Sequence, residues 1–217
     1  MPLTTTAAHA STGPRIYVAC LASYNAGRLH GAWIDAAQDL DDVWAEIHAM
    51  LRASPYPNVE VTCPDCEGAD PQVSRCETCK GRGNVPSAEE WAIHDHEGFE
   101  GLKIDEHEAI DRVVQLANVL DNLGTEAEAF VAWWHNGTAG KDPDAWEDEF
   151  REAYRGTYRT IADYAEEVLG ETYDLDSLPP LLAGHIDWDG VARELETGGD
   201  IWTADGGDGV LIFDNTV

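Results

Sequence analysis

The chain has 217 residues, with 42 Asp and Glu against 13 Lys and Arg and a formal net charge of -29. It is 43% hydrophobic and carries eight Trp, seven Tyr and four Phe, too much apolar and aromatic content for a disordered acidic tail. Such a surface repels nucleic acid and anionic lipid headgroups and attracts proteins that bind nucleic acid; an acidic, salt-adapted proteome or simple solubility is the bland alternative.

The length suits one large domain or two to three small ones. The acid is concentrated late: residues 1–60 hold 6 acids and 3 bases, residues 61–99 hold 8 and 3, and residues 100–217 hold 28 and 7. The opening residues are small and polar, with no basic stretch leading into an apolar run, so residues 1–14 are expected to be a disordered tail. No run of about 18 apolar residues occurs, so no membrane span is expected and a cytoplasmic location fits.

Residues 15–21 read as a first strand and Ser23 to Gly27 as a turn or loop. Leu29 to Ile34 is a candidate second strand of a hairpin. Gln38 to Leu51 is an amphipathic helix with Leu40, Val43, Trp44, Ile47 and Leu51 on one face, and Asp39 or Asp35 is placed to cap it.

The next segment carries four cysteines: Cys63 and Cys66, then nine residues, then Cys76 and Cys79. Each CxxC pair can place two thiolates on one ion, and two pairs complete a tetrahedron. Gly68, Gly81 and Gly83 relax the chain beside each pair, while Arg75, Lys80 and Arg82 can offset the thiolate charge. Four thiolates leave no open position, so the expected cofactor is a structural zinc ion. Two disulfides, a redox CxxC and an iron–sulfur cluster are the alternatives; each lacks supporting context. Cys20 reads as a core residue.

Glu90 to His94 is a short strand candidate. From about Asp105 the period becomes helical: Ile110, Val113, Val114, Ala117 and Leu120 form one stripe, ended by Gly124. Thr125 to Asn136 follows, with Thr125 as cap and Glu128 three residues on. Asp144 to Leu169 reads as a long helix with a possible break near Gly156. Pro180 to Ala183 and Asp187 to Leu195 are short helices, and Ile201 to Thr203 with Val210 to Phe213 form a closing hairpin. The fold class is α+β: an N-terminal α/β unit with a zinc-knuckle insertion, followed by mainly helical acidic domains. The expected divisions are 15–103 with the insertion at 61–84, 104–178 and 179–217.

No phosphate-binding glycine loop, HExxH or G-x-S-x-G occurs. His94 and His96, with His107, His135 or His185 as a third ligand, sketch a metallohydrolase site without fixing its geometry. The acids make a more coherent pattern. Residues three or four apart on a helix lie about 5–6 Å from one another, close to the spacing of phosphates along a DNA strand. Asp105, Glu108, Asp111 and Asp121 on one helix, and Glu147, Glu152, Asp163, Glu166, Glu167 and Glu171 on another, are the candidate partner-binding acids.

The chain resembles the ArdA-type antirestriction proteins. The likeness is carried by Ile16-Tyr-Val-Ala19, Tyr24-Asn-Ala-Gly27, Leu29-His-Gly-Ala-Trp33, Glu89-Glu-Trp-Ala-Ile-His-Asp95 and, above all, Asp187-Trp-Asp-Gly-Val-Ala-Arg-Glu-Leu-Glu-Thr-Gly-Gly-Asp-Ile201. The resemblance implies an elongated, acidic homodimer of small domains. It implies a non-enzymatic mimic of bent DNA that occupies the DNA groove of a Type I restriction–modification enzyme, its methyltransferase and specificity core, without itself binding nucleic acid. It marks Asp187, Asp189, Arg193, Glu194, Glu196 and Asp200 as the antirestriction-like motif, with Trp188, Val191, Ala192, Leu195 and Ile201 as its packing side. The four-cysteine insertion departs from the usual family pattern. An acidic zinc-containing adaptor for another basic DNA-binding protein is the rival reading.

Overall fold

The computed structural model describes residues 13–69, 76–137 and 139–215. Its contacts divide the chain into two compact units, one ending at Asn122 and one running from Leu123. Most of the expected tail, residues 1–12, lies outside the described residues. Pro14 is buried, and its carbonyl accepts from the Ala36 N–H at 2.9 Å.

The first unit opens with strand β1 (Arg15–Cys20), a short helix α1 (Leu21–Asn25) where a turn was expected, and strand β2 (Gly31–Asp35). Helix α2 (Leu40–Arg52) buries Val43, Ile47, Met50 and Leu51. Leu40, expected on that face, is exposed, and Asp39 occupies the N-cap position without a side-chain cap bond. Strands β3 (Val59–Thr62) and β4 (Asn84–Ser87) form an antiparallel hairpin around the cysteines. Strand β5 (Trp91–Glu97) returns to pair with β1, giving a three-stranded antiparallel sheet of order β2-β1-β5. The alternating burial of Ile16 and Val18 on β1 places its inner face on the core shared with Ile34, Val43 and Ile47.

Helix α3 (Ile110–Leu123) carries the expected stripe of Ile110, Val113, Val114, Ala117 and Leu120, all buried. It begins five residues later than the sequence suggested. Residues 105–108 are held in a loop because the Ile93 N–H donates to the Glu106 carbonyl at 2.9 Å, which ties the segment to β5.

The second unit begins with a single 3-10 turn (Gly124–Glu126) and helix α4 (Ala127–His135). Thr125 therefore lies within the turn and caps nothing. Glu128, expected to close a capping box, instead accepts from the Gly207 N–H at 2.9 Å. The expected long helix from Asp144 is three elements: α5 (Trp146–Ala153), strand β6 (Tyr154–Tyr158) and α6 (Ile161–Thr172). Tyr154, Gly156, Thr157 and Tyr158 pair with the last strand, and Gly156 sits at a register shift with φ of 121°. Helices α7 (Pro180–Ala183) and α8 (Trp188–Gly198) follow, then the hairpin β7 (Ile201–Gly206) and β8 (Gly209–Asp214). The sheet order is β6-β8-β7. Helices α6 and α8 pack together, with Tyr164, Val168 and Leu195 gathered about Ile201 and Ile212. Beneath α4 and α5 runs a series of ring contacts. It passes from Trp146 to Trp134, Phe130, Phe150 and Tyr154, then to Phe213 and Trp202. Among the described residues, no helix is long and apolar enough to cross a membrane.

Candidate metal centre and acidic helix faces

The β3–β4 hairpin brings Cys63, Cys66, Cys76 and Cys79 together, with all four sulfurs within 4.8 Å of one another. Cys63 and Cys76 are 3.7 Å apart, and Cys66 and Cys79 are 3.6 Å apart. A tetrahedral ion with sulfur at about 2.3 Å requires sulfurs about 3.8 Å apart, so the set fits one ion. A disulfide would need about 2.05 Å, and all five cysteines are free thiols.

The two CxxC turns share one backbone design. The residue after the second cysteine of each pair has positive φ, 50° at Glu67 and 55° at Lys80, and a glycine with φ near 80° follows at Gly68 and Gly81. Only glycine takes this second conformation without strain. The Glu67 N–H returns to the Cys63 carbonyl at 2.8 Å, the Cys63 N–H donates to the Gly83 carbonyl at 2.8 Å, and the Thr78 hydroxyl donates to the Asp65 carboxylate across the two turns.

The thiols are unequal. Burial, followed by hydrogen bonding with the Cys79 and Cys63 thiols, pushes Cys66 up to about 12. At Cys79 burial acts in the same direction but is outweighed by hydrogen bonds from the Gly83 backbone, the Cys66 and Cys76 thiols and the Gly81 backbone, which bring it down to about 6. With an ion, all four become thiolates. Lys80 and Arg82 are exposed beside the cluster, and the Arg82 guanidinium donates to the Cys79 carbonyl at 3.2 Å. Arg75 lies outside the described residues.

The candidate partner-binding acids are distributed as follows. Asp105 and Glu108 lie in the loop before α3, and Asp111 and Asp121 on the helix itself; Asp105, Asp111 and Asp121 are exposed, while Glu108 is half-buried and pairs with Arg112 at 3.5 Å. Glu147 and Glu152 lie on α5, and Glu147 is bridged to Arg151 at 3.0 Å. Helix α6 is the clearest acidic face. Asp163, Glu166, Glu167 and Glu171 recur at helical spacing, while Tyr164 and Ala165 of the same helix are buried. The Arg159 guanidinium and the Thr160 hydroxyl hold the Asp163 carboxyl below the usual carboxylate range. Glu167 accepts from the Tyr158 hydroxyl at 2.9 Å; burial, then this bond, pushes Tyr158 up to about 12.

The antirestriction protein (ArdA) family model matches residues 16–208. The chain belongs to the ArdA family. It is accordingly an antirestriction protein, from a family of inhibitors without catalytic chemistry. A search of curated proteins returns no match.

The ArdA motif expected at 187–201 is built around α8. The Asp187 carboxylate accepts from the Gly190 N–H at 3.0 Å, capping the helix, and Gly199 ends it in the left-handed conformation with φ of 82°. Ala192 and Ile201 are buried, and Trp188, Val191 and Leu195 are half-buried. Asp189, Arg193, Glu194 and Asp200 are exposed, and among the described residues Arg193 makes no ion pair. The exposed Glu196 accepts from the Thr203 hydroxyl at 2.8 Å, linking α8 to β7.

The two histidines of the hydrolase alternative are employed elsewhere. His94 lies 3.8 Å from Glu106 and edge-on to Tyr24, while His96 bonds to the Leu102 carbonyl at 3.2 Å. Among the described residues they join no group of three potential ligands. Cys20 is fully buried against Ser54 and Ser23, as a core residue should be.

Proposed function

We propose that the chain acts as a DNA mimic, occupying the DNA-binding groove of a Type I restriction–modification enzyme and thereby blocking restriction and modification. The observation that carries this reading is the α6 surface. Four acids recur three or four residues apart on a helix packed against a sheet, which puts neighbouring positions about 5–6 Å apart; Asp163 is paired with Arg159 at 3.2 Å and Glu167 accepts from the Tyr158 hydroxyl. A fixed array loses less entropy on docking than mobile side chains would, and carboxylates match the guanidinium donors that otherwise bind phosphate. The exposed acids of α3, α5 and the α8 motif extend the same chemistry. A homodimer would double the array, and a structural zinc ion in the four-cysteine cluster would fix the hairpin of the first unit.

Exposed ion pairs are individually weak, so single substitutions are expected to do little. Neutralising Asp163, Glu166, Glu167 and Glu171 together to Asn or Gln should weaken binding to the enzyme's methyltransferase core and flatten its dependence on salt. Unchanged affinity and salt slope in a folded quadruple variant would exclude this face from the interface.

A further inference from the structure

Besides the four-cysteine cluster, each unit has, among the described residues, an open cleft that sets tryptophan beside carboxylate. In the first unit, a cleft of about 400 Å³ is lined by the indoles of Trp44 and Trp91, set edge to face with centroids 5.6 Å apart, and by Glu108 and Asp111 at the start of α3. In the second unit, a cleft of about 310 Å³ is lined by Trp133 and Trp202 together with Glu149, Glu152 and Asp214. Among the described residues no lysine or arginine lines either one, and His107 also lines the first. Apolar aromatic walls beside carboxylates exclude anions and suit a flat cation, which gains from the indole face and from the charge together.

The chain itself contains the occupied form of this arrangement. The Arg15 guanidinium lies over the Trp33 ring at 4.7 Å, and its Nε donates to the Glu97 carboxylate at 2.9 Å. One indole face and one carboxylate thus hold one guanidinium. The two clefts set the same residue types side by side, with one face of Trp202 already stacked on Phe213 at 4.0 Å and one face of Trp44 on His48 at 5.6 Å. Some of their carboxylates are already engaged: Glu108 pairs with Arg112, Asp214 pairs with Arg155 at 2.7 Å, and Glu149 accepts from the Gly140 N–H at 2.8 Å. Asp111 and Glu152 are exposed at the rims. The amino end of α3 adds about half a positive charge beside the first cleft, less than the full charge of Asp111.

We propose that these two clefts are sockets for arginine side chains of the partner enzyme. The indole offers the flat π surface of a base and the adjoining carboxylate offers the charge of its phosphate. This rests on the DNA-mimic reading and adds to it: an arginine that reaches into the DNA groove would find both surfaces on the inhibitor, whereas a helix studded with acids supplies only the charge.

The test has two arms. In the first, the intact wild-type protein is titrated with methylguanidinium chloride, with sodium chloride at matched ionic strength as reference, and the eight tryptophan indole N–H resonances are followed by NMR. Shifts specific to guanidinium are expected at Trp44, Trp91 and Trp202. Trp33 should not respond, because Arg15 already covers it. Equal shifts at all eight indoles, or none, would overturn the proposal without any variant and whatever the partner. In the second arm, Trp44→Leu and Trp202→Leu keep apolar bulk and remove the π face. Each should weaken binding to a Type I methyltransferase core by about 3- to 10-fold with the salt slope unchanged. Folded variants that bind as wild type, while duplex DNA still displaces the wild-type protein, would overturn the sockets and leave the mimic standing. If duplex does not compete with the wild-type protein at all, the mimic reading fails, and the methylguanidinium titration still decides whether the clefts take guanidinium.

Discussion

The β3–β4 hairpin and the second unit are both built from short antiparallel strands, and they are held together by opposite means. The hairpin buries Cys63, Cys79 and Val85, with Val61, Cys66 and Cys76 packed around them, so four of its six core residues are cysteines. The second unit buries Trp146, Phe150, Phe130, Phe213 and Ile212 beneath its acidic helices. A lone two-stranded hairpin is marginal in water. An aromatic core of that size can carry a face of mutually repelling carboxylates; the hairpin, without one, gathers four thiols that an ion could cross-link.

The largest effect expected from this contrast comes from removing metal. Chelation, or paired Cys66→Ser and Cys79→Ser substitution, should abolish amide protection in strands β3 and β4 and leave α6 and β8 protected, as read by hydrogen exchange. Unchanged hairpin protection would mean that its backbone bonds suffice. The converse substitution, Phe150→Ala, should cost the second unit about 3–5 kcal/mol in a denaturant melt while the hairpin keeps its metal affinity. A smaller loss follows from Thr160→Ala. The Thr160 hydroxyl accepts from the Asp163 N–H at 3.1 Å at the start of α6, and losing that cap should cost about 1 kcal/mol.

The smallest effect concerns pH. Asp163 has its folded pKa depressed, so its contribution is present above the ordinary carboxylate value. That contribution is lost as pH falls through the depressed folded value. Asp163→Asn should therefore slightly flatten the acid limb of the second unit's stability profile, measured by urea melts at several pH values. An ion bound at the cysteine cluster would carry its own dependence. Cys66 must lose a proton held up to about 12, so metal affinity should fall as pH falls.

The four-cysteine cluster was legible because both CxxC pairs are local in sequence, and helices α2 and α8 because their apolar spacing is regular. Strand β6 was hidden. Tyr154, Tyr158 and Ile161 fall at i, i+4 and i+7, which also fits a helix, and only pairing with distant β8 decides for a strand. The start of α3 is not legible in the sequence, because the Ile93–Glu106 bond that holds residues 105–108 in a loop joins two separate segments. Strands β3 and β4 are too short to announce themselves, since their register depends on the knuckles between them. The clefts could not be read at all: Trp44 meets Trp91, and Trp133 and Trp202 come to line one cleft, only after folding. The motif at 187–201 pointed to the family through its residues, while its cap and left-handed stop became visible only in the folded helix.

The most direct test of the central claim is a titration of the intact protein against a Type I methyltransferase core, with the enzyme's target duplex as competitor, at several salt concentrations. Inhibition by DNA mimicry predicts mutually exclusive binding that weakens steeply as salt rises. A ternary complex of protein, enzyme and duplex, or binding indifferent to salt, would contradict it.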